Sequence, residues 1–333
     1  DSGNEADLNH KVANRNAKTK KAARANQITA EQAALLKEKF EEENFGFQDG
    51  WWKAAHHRTR FILKSRQIGA TWYFAREALI DALETGRNQI FLSASRRQAE
   101  IFRSYIIEFV FKWTGVTLKG EHLLIDRGDD EEGQPLERPK LFFLGANFRT
   151  AQGEPGHFYY DECFWAQDFE RIDEVASGMA SQKRYRETYF STPSTTSHGA
   201  YRKWSCEWWN EGKPKTDWTK IEAYNPEQLA EGVLCDDGIW RQRVTIEDAA
   251  KAGCDLFDVE ELRQRKAPEV FANLYLCEFV DETDSAFPMG VLNPCRIDSF
   301  SKWRDYDPYS LRPYGEGEVC LLYTSDAADD SLR

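Results

Sequence analysis

Residues 61–72 read FILKSRQIGATW, and their order has the outline of a phosphate-binding loop. An apolar run precedes the loop, the chain turns at Gly69, and Thr71 stands where a Mg²⁺ ligand is expected. The usual Walker A pattern, G-x-x-x-x-G-K-[ST], has lysine after its second glycine. This chain has Ala70 at that position and Lys64 in place of the first glycine. The match alone therefore does not separate a working loop from a chance one.

A phosphate site needs backbone N–H groups that converge at a helix N-terminus, a hydroxyl for Mg²⁺, and a cation near the phosphate oxygens. A helix beginning after Gly69 would supply the first and Thr71 the second. Lys64 or Arg66 would supply the cation from the opposite end of the loop. The residues that we predict to bind the nucleotide here are Lys64, Ser65, Arg66, Gln67, Ile68, Gly69, Ala70 and Thr71.

A second motif, HFYYDECFW at 157–165, is an apolar strand that ends in two adjacent carboxylates, Asp161 and Glu162. In loop-containing ATPases the strand next to the loop ends in an aspartate that holds Mg²⁺, and a following glutamate polarises the attacking water. A strand that ends in two surface acids is the simpler alternative. The position inside a strand–helix series, about 90 residues after the loop, favours the Walker B interpretation.

Two further segments carry groups suited to a nucleotide. YFSTPSTTSHG at 189–199 is a strand that ends in small hydroxyl residues, which can sense a γ-phosphate; the alternative is an ordinary turn. Gln48 precedes two tryptophans, so its amide could recognise an adenine edge; the alternative is a cluster of core aromatics. The hydroxyl segment that we single out comprises Thr192, Pro193 and Ser194.

Alternating strands and helices must position these groups, and the pattern predicts an α/β fold with a mostly parallel sheet flanked by helices. A first helix is expected from Thr29 to about Asn44, and residues 45–52 then break the helical pattern. The predicted strands are Arg60–Leu63, Gln89–Ser93, Lys140–Leu144, His157–Tyr160, Glu187–Ser191 and Trp218–Tyr224. The other predicted helices of this region are Ala70–Thr85 and Arg96–Trp113.

Composition narrows the function classes. The net charge of −12 argues against general coating of nucleic acid, so DNA contacts would need local basic patches. Seven cysteines without C-x-x-C spacing argue against a zinc site or a disulfide framework. No apolar run is as long as a membrane span. The candidate DNA contacts are Arg96, Arg97, Arg103, Arg202 and Lys203, each with solvated surface charge as the alternative.

Taken together, K-S-R-Q-x-G-A-T, YYDE and S-T-P-S-T resemble the large terminase subunit of tailed bacteriophages, of the peduovirus type. The resemblance runs from about residue 27 to 319. It implies an ASCE P-loop NTPase (RecA-like) core that uses ATP and Mg²⁺ to move double-stranded phage DNA into a procapsid. It also implies a portal protein and a small terminase subunit as partners. A homo-oligomeric ring would dock transiently on the procapsid, in the host bacterial cytoplasm and without a membrane.

The resemblance also assigns roles to residues. Lys64 would be the displaced phosphate lysine, Arg66 a cis arginine near the γ-phosphate, and Glu162 the catalytic carboxylate. Thr71 and Asp161 would hold Mg²⁺. Residues 192–194 would form the coupling motif, and Gln48 would read the adenine.

The chain is expected to contain five segments. Residues 1–26 form a basic polar segment, 27–224 the ATPase core, and 225–290 a small, mainly helical subdomain. Residues 291–319 read as a connector toward a nuclease domain that the resemblance implies and this sequence lacks. The final stretch, 320–333, matches a translated sequencing adapter, so its aspartates are not taken as nuclease ligands.

Two alternatives remain open. A DExx-type helicase or translocase shares the loop, the acidic pair and a Ser/Thr-rich third motif, but it needs a second RecA-like domain. A non-hydrolysing scaffold that binds portal or DNA is suggested by Ala70, because the usual lysine is missing there.

Overall fold

The computed structural model describes residues 26–93, 95–145 and 154–281. The chain divides into two compact units, Asp1–Asp281 and Glu282–Arg333, and the second lies wholly outside the described residues. The basic segment up to residue 25, the connector at 291–319 and the adapter at 320–333 therefore stay predictions.

One eight-stranded sheet organises the described part of the chain. Its strands are β1 (Thr59–Lys64), β2 (Gln89–Ser93), β3 (Leu123–Leu124), β4 (Lys140–Gly145), β5 (His157–Asp161), β6 (Glu187–Ser191), β7 (Val233–Leu234) and β8 (Ile239–Val244). Their spatial order is β3-β4-β2-β5-β6-β1-β8-β7. The six inner strands pair in parallel, and β3 and β7 are antiparallel edges. The prediction of a mostly parallel α/β sheet is confirmed.

Helices cover the sheet between these strands. They are α1 (Ala30–Glu42), α2 (Gly46–Lys53), α3 (Ala70–Thr85), α4 (Arg96–Thr114), α5 (Phe169–Met179), α6 (Gly199–Trp204), α7 (Glu207–Asn210), α8 (Pro226–Glu231), α9 (Ile246–Lys251), α10 (Val259–Arg265) and α11 (Pro268–Leu276). The capping box that Thr29 and Gln32 predicted is present at the start of α1. Helices α3 and α4 begin where the sequence placed them, and each is followed by a left-handed glycine.

Both faces of the sheet are buried, which explains the continuous apolar runs of its strands. Along β1, Ile62 points into a core shared with α3 and α4. Its neighbours Phe61 and Leu63 point into a second core shared with α5 and α6. The two cores fix β1 on both sides, so the end of β1 gives Lys64 a defined position.

Two local predictions need correction. Trp218–Tyr224 is not a strand; it contains one 3₁₀ turn, Ile221–Ala223, and a second turn, Lys215–Asp217, precedes it. The helical pattern does break after α1, at residues 43–45, but the segment does not stay irregular, because Gly46–Lys53 forms α2. Buried Phe47 and Trp51 compensate for the low helix propensity of the two glycines.

Residues 225–290 were expected to be mainly helical; up to residue 281 they contain the helices α8 to α11 together with the strands β7 and β8. Strand β8, which the sequence analysis missed, pairs in parallel with β1. The strand was not predicted because it contains arginines, whereas a buried strand is expected to be apolar. Arg241 is fully buried, pairs with Asp237, and donates to the backbone carbonyls of Lys203 and Trp204.

Four of the five candidate DNA contacts have partners within the protein. Arg96 pairs with Glu121, and Arg103 donates to the carbonyl of Gly120. Arg202 pairs with Glu211. Lys203 is not a solvated charge, because its side chain is 11% exposed and pairs with Asp173; its contact with DNA stays a prediction. For Arg97, the role as a DNA contact stays a prediction.

Neither the cysteines nor the helices add a further site in the described part of the chain. Cysteines 163, 206, 235, 254 and 277 are buried thiols. Within residues 26–93, 95–145 and 154–281, no helix is long and apolar enough to cross a membrane. The same residues contain no group of three or more His, Cys, Asp or Glu placed to hold a metal.

Candidate nucleotide-binding site

The loop between β1 and α3 has the backbone shape of a phosphate cradle. Gly69 caps α3 in the left-handed region at φ 79°, where glycine is favoured, and Gln67 also has a positive φ of 62°. Ile68 is fully buried and anchors the middle of the loop in the core. At the start of the loop, the N–H groups of Ser65 and Arg66 donate to backbone carbonyls.

The remaining loop N–H groups are free to bind an anion. Those of Gln67, Ile68 and Gly69 donate to no acceptor within the described ranges. The first turn of α3 adds N–H groups that no helical carbonyl can reach. Such groups, together with the positive end of the helix dipole, favour a phosphate at this position.

Lys64 lies at the end of β1 and is directed toward the acidic pair. Its Nζ donates to Glu162 Oε1 at 2.5 Å, and the residue is 5% exposed. Burial alone would lower the pKa of Lys64, but the charges of Glu162 and Asp161 outweigh it and raise the pKa. The expected proximity of Lys64 to the acidic pair is confirmed, and its role toward phosphate stays a prediction.

Glu162 follows β5 with a left-handed backbone, φ 52°, which is uncommon for a residue other than glycine. Its Oε2 accepts hydrogen bonds from Ser191 Oγ at 3.1 Å, and from the N–H and hydroxyl of Thr192 at 3.1 and 3.0 Å. Burial opposes its charge, but Lys64 and these donors lower its pKa. The carboxylate is therefore held ionised and fixed in direction.

Asp161 and Thr71 fit a Mg²⁺ site. Thr71 Oγ1 donates to Asp161 Oδ2 at 3.1 Å, while Asp161 Oδ1 is buried and has no partner in the described residues. Burial and the nearby Glu162 raise the pKa of Asp161 to about 7, although Lys64 opposes the shift. A buried, unsatisfied carboxylate oxygen beside a hydroxyl is the donor chemistry that Mg²⁺ prefers.

The strand that ends in the acidic pair was expected next to the strand that leads into the loop, and the sheet order corrects this expectation. β5 does not lie directly beside β1, because β6 pairs with both strands. β6 is the additional strand that the ASCE class implies. Its end brings Ser191 and Thr192 between Lys64 and Glu162, so the hydroxyl segment belongs to the same site.

Residues 192–194, called the coupling segment below for their predicted role, contact the site at one end and α11 at the other. Thr192 holds Glu162, whereas the backbone carbonyls of Pro193 and Ser194 accept from Asn273 Nδ2 at 3.3 and 3.4 Å. The hydroxyl of Ser194 is buried without a partner in the described residues. The fold thus brings residues 192–194 to the acidic pair, and their coupling role stays a prediction.

Gln48 lies beneath the loop. Its Oε1 accepts from the N–H of Phe45 at 3.0 Å and its Nε2 is buried without a partner in the described part of the chain. A Cβ added at Gly69 would lie 3.3 Å from this Nε2. The amide therefore faces the loop with a free donor, and adenine recognition stays a prediction. Arg66 is exposed; its backbone N–H donates to the carbonyl of Leu274 at 2.9 Å, and its own carbonyl accepts from Ser65 Oγ at 3.4 Å.

The sequence analysis did not identify three residues that lie in or beside the site. Ser191 donates to Glu162, and Trp165 donates from its indole nitrogen to Thr192 Oγ1 at 2.7 Å. Asn273 joins the coupling segment to α11. Ser191 opens the S-T-P-S-T motif, so its position gave a signal; the other two contacts leave no local pattern in the chain.

Replacing Asp161 with asparagine is expected to stabilise the protein in EDTA. The folded-state pKa of about 7 exceeds the ordinary value of 3.8 for an aspartate, so folding penalises the ionised carboxylate. The penalty is complete above pH 7, falls as pH decreases, and is absent below about pH 4. We expect a gain of about 1–4 kcal/mol in unfolding free energy at pH 8 and little gain at pH 4.

Denaturant titrations at both pH values measure this effect, with Asp255→Asn at an exposed aspartate as the matched control. A destabilised Asp161→Asn protein at pH 8 would contradict the inferred cost of the buried charge.

Comparisons with known proteins agree with this geometry. Residues 61–293 match the family model for the terminase large subunit, T4likevirus-type, N-terminal. The chain is 46% identical over 330 residues to the terminase ATPase subunit of Escherichia phage P2, covering 99% of this chain and 54% of that protein. It is 47% identical over 265 residues to the probable terminase ATPase subunit of Haemophilus phage HP1 (strain HP1c1), covering 79% of this chain and 42% of that protein.

A solved structure supports the fold. The large terminase ATPase domain of Thermus phage P74-26 matches with a TM-score of 0.51 and 16% identity, over 68% of this chain and 90% of that chain. The chain spans about half the length of the curated relatives it matches. The peduovirus-type resemblance is confirmed by the likeness to the phage P2 protein, and the chain belongs to the terminase large subunit family.

Proposed function

We propose that this chain is the ATPase motor part of a DNA-packaging terminase, which hydrolyses ATP to move double-stranded DNA into a procapsid. The observation that carries the proposal is the convergence of Lys64 and Glu162, 2.5 Å apart, beside the free N–H groups of the loop. This arrangement supplies a cation, a fixed carboxylate and an anion cradle at one edge of the sheet.

Each group has a task that its surroundings permit. Lys64 stays protonated and neutralises phosphate charge, while the loop N–H groups position the phosphates. Glu162 stays ionised and orients the attacking water, since Ser191 and Thr192 fix one of its oxygens. Asp161 and Thr71 would hold Mg²⁺, which would neutralise charge on the phosphate oxygens.

The proposed partners follow from the family. They are double-stranded phage DNA, the portal protein, the small terminase subunit and further copies of this chain in a ring on the procapsid. The proposed location is the host bacterial cytoplasm, with transient docking on the procapsid. The phage P2 relative is named as an ATPase subunit, which supports ATP as the nucleotide.

The experiment compares ATP hydrolysis and DNA packaging by the full-length protein that contains this chain. Phosphate release is measured with Mg²⁺, with and without DNA and portal-bearing procapsids, and packaged DNA is measured by its resistance to nuclease. We expect hydrolysis that DNA and procapsids stimulate, together with protected DNA. Nucleotide binding without hydrolysis under every condition would instead favour the scaffold alternative.

The helicase alternative makes a different demand. It needs a second RecA-like domain in addition to the one sheet that the described residues form. Strand separation of a duplex by the full-length protein, without procapsids, would favour that alternative.

A further inference from the structure

The C-terminal end of α11 contacts the phosphate loop. The carbonyl of Leu274 accepts from the N–H of Arg66 at 2.9 Å. The next residue after α11, Cys277, has a left-handed backbone at φ 61° and donates from Sγ to the carbonyl of Val244 at 3.4 Å. That carbonyl also accepts from the N–H of Ser65 at 2.8 Å. The first two residues of the loop are therefore tied to α11, directly and through β8.

The same helix end contacts the coupling segment through one buried side chain. Asn273 is 8% exposed, and its Nδ2 lies within hydrogen-bonding distance of the carbonyls of Pro193, Ser194 and Glu278, at 3.3, 3.4 and 2.8 Å. An amide nitrogen carries two hydrogens, so three carbonyls share two donors. Removing this nitrogen would take the donor from the buried carbonyl of Pro193, which is costly, whereas the carbonyl of Ser194 would keep a second donor.

The segment after α11 continues this contact. The N–H of Val280 donates to the carbonyl of Ser194 at 3.0 Å, and the N–H of Thr196 donates to the carbonyl of Val280 at 3.2 Å. These bonds form a parallel bridge between Thr195 and Val280. Residues 273–280 and 193–196 therefore form one hydrogen-bonded unit.

We propose that Asn273 is a positioning residue that locks residues 193–194 to α11, and through Thr192 fixes the orientation of Glu162. Because Leu274 binds the loop, the same helix end transmits a change in the loop to the coupling segment. This inference rests on the proposed ATPase function and assigns to that site a residue outside its sequence motifs.

The test replaces Asn273 with aspartate or leucine, which are similar in size but donate no hydrogen bond. The matched control is Asn210→Asp, because Asn210 is also buried, at 6% exposure, and its amide bonds both to and from Thr219. In the full-length protein we expect both Asn273 variants to lower kcat at least about 10-fold while the KM for ATP changes less than about 3-fold. The control should keep wild-type kcat.

Hydrogen exchange supplies a readout that does not need hydrolysis. With Mg²⁺ and the ATP analogue that carries a β,γ-imido group, the wild-type amides of 67–71 should exchange more slowly, and so should those of 194–196 and 278–280. In Asn273→Asp, the loop should stay protected while the other two segments lose the analogue-dependent protection.

The outcomes separate the two proposals. Unchanged kcat and unchanged protection in folded Asn273 variants would overturn the role of Asn273 and leave the ATPase proposal intact. Loss of loop protection together with the other segments would also overturn it, because the residue would then be only structural. The wild-type protein could also lack ATPase activity while its analogue-dependent protection is lost in Asn273→Asp. That result would support the inference and reject the proposed function.

Discussion

Replacing Glu162 with glutamine is expected to leave ATP binding near the wild-type level and to lower turnover at least about 10³-fold. Glutamine keeps the length of the side chain and one oxygen for the donors of Thr192. It removes the negative charge that would polarise the attacking water. Lys64 then loses its ion-pair partner and stays available to the phosphates.

Binding is measured by equilibrium titration with ATP and Mg²⁺, and turnover by single-turnover phosphate release, both in the full-length protein. Glu187→Gln is the matched control, because Glu187 begins β6, the strand that ends at Ser191 beside Glu162. Substantial hydrolysis by Glu162→Gln would show that another group activates the water. Equal losses in both variants would indicate a general disturbance of β6.

The sequence could locate the loop and the acidic pair because both follow buried strands of the inner sheet. Strands β1 and β5 lie between covered faces, so their apolar runs are short, continuous and easy to recognise. Helix ends were equally readable, since Gly86 and Gly115 have left-handed backbones that suit glycine. These signals are local, and each one can be read without knowing the rest of the fold.

The signals that failed depend on distant contacts. β8 contains a fully buried Arg241, and its burial is possible because Asp237 neutralises its charge and the carbonyls of residues 203 and 204 accept its hydrogens. Trp218–Tyr224 has the composition of a strand, but propensity alone does not provide a neighbouring strand to pair with.

The same distinction holds in the site. The neighbours Asp161 and Glu162 are visible in the sequence, whereas the opposite directions of their pKa shifts depend on burial and on distant groups, among them Lys64, which lies 98 residues from Glu162. Asn273 is separated by 80 residues from Pro193, whose carbonyl it binds. A single sequence contains nothing that links these positions, so the supporting contacts of the site became visible only in the fold.

Replacing Lys64 with methionine is expected to lower kcat/KM for ATP by about 10²–10³-fold. Methionine keeps much of the side-chain length but removes the only cation that lies within hydrogen-bonding distance of Glu162 in the described residues. The comparison with Arg66→Met decides which of the two cations serves the phosphates in binding. Because Arg66 is exposed, we expect Arg66→Met to change nucleotide affinity only a few-fold.

Lys64→Met should also destabilise the folded protein, because it leaves two carboxylates in the site without their cation. Breaking a buried ion pair from one side typically costs about 3–5 kcal/mol. The double variant Lys64→Met/Glu162→Gln removes both charges of the pair, so its free energy of unfolding should exceed that of Lys64→Met although its ATPase activity stays lost. Recovered stability without recovered activity would separate the structural contribution of the pair from its chemistry. If Lys64→Met hydrolysed ATP normally and Arg66→Met did not, the cation of this loop would be Arg66, and the relocation of the lysine from position 70 to position 64 would have no catalytic meaning.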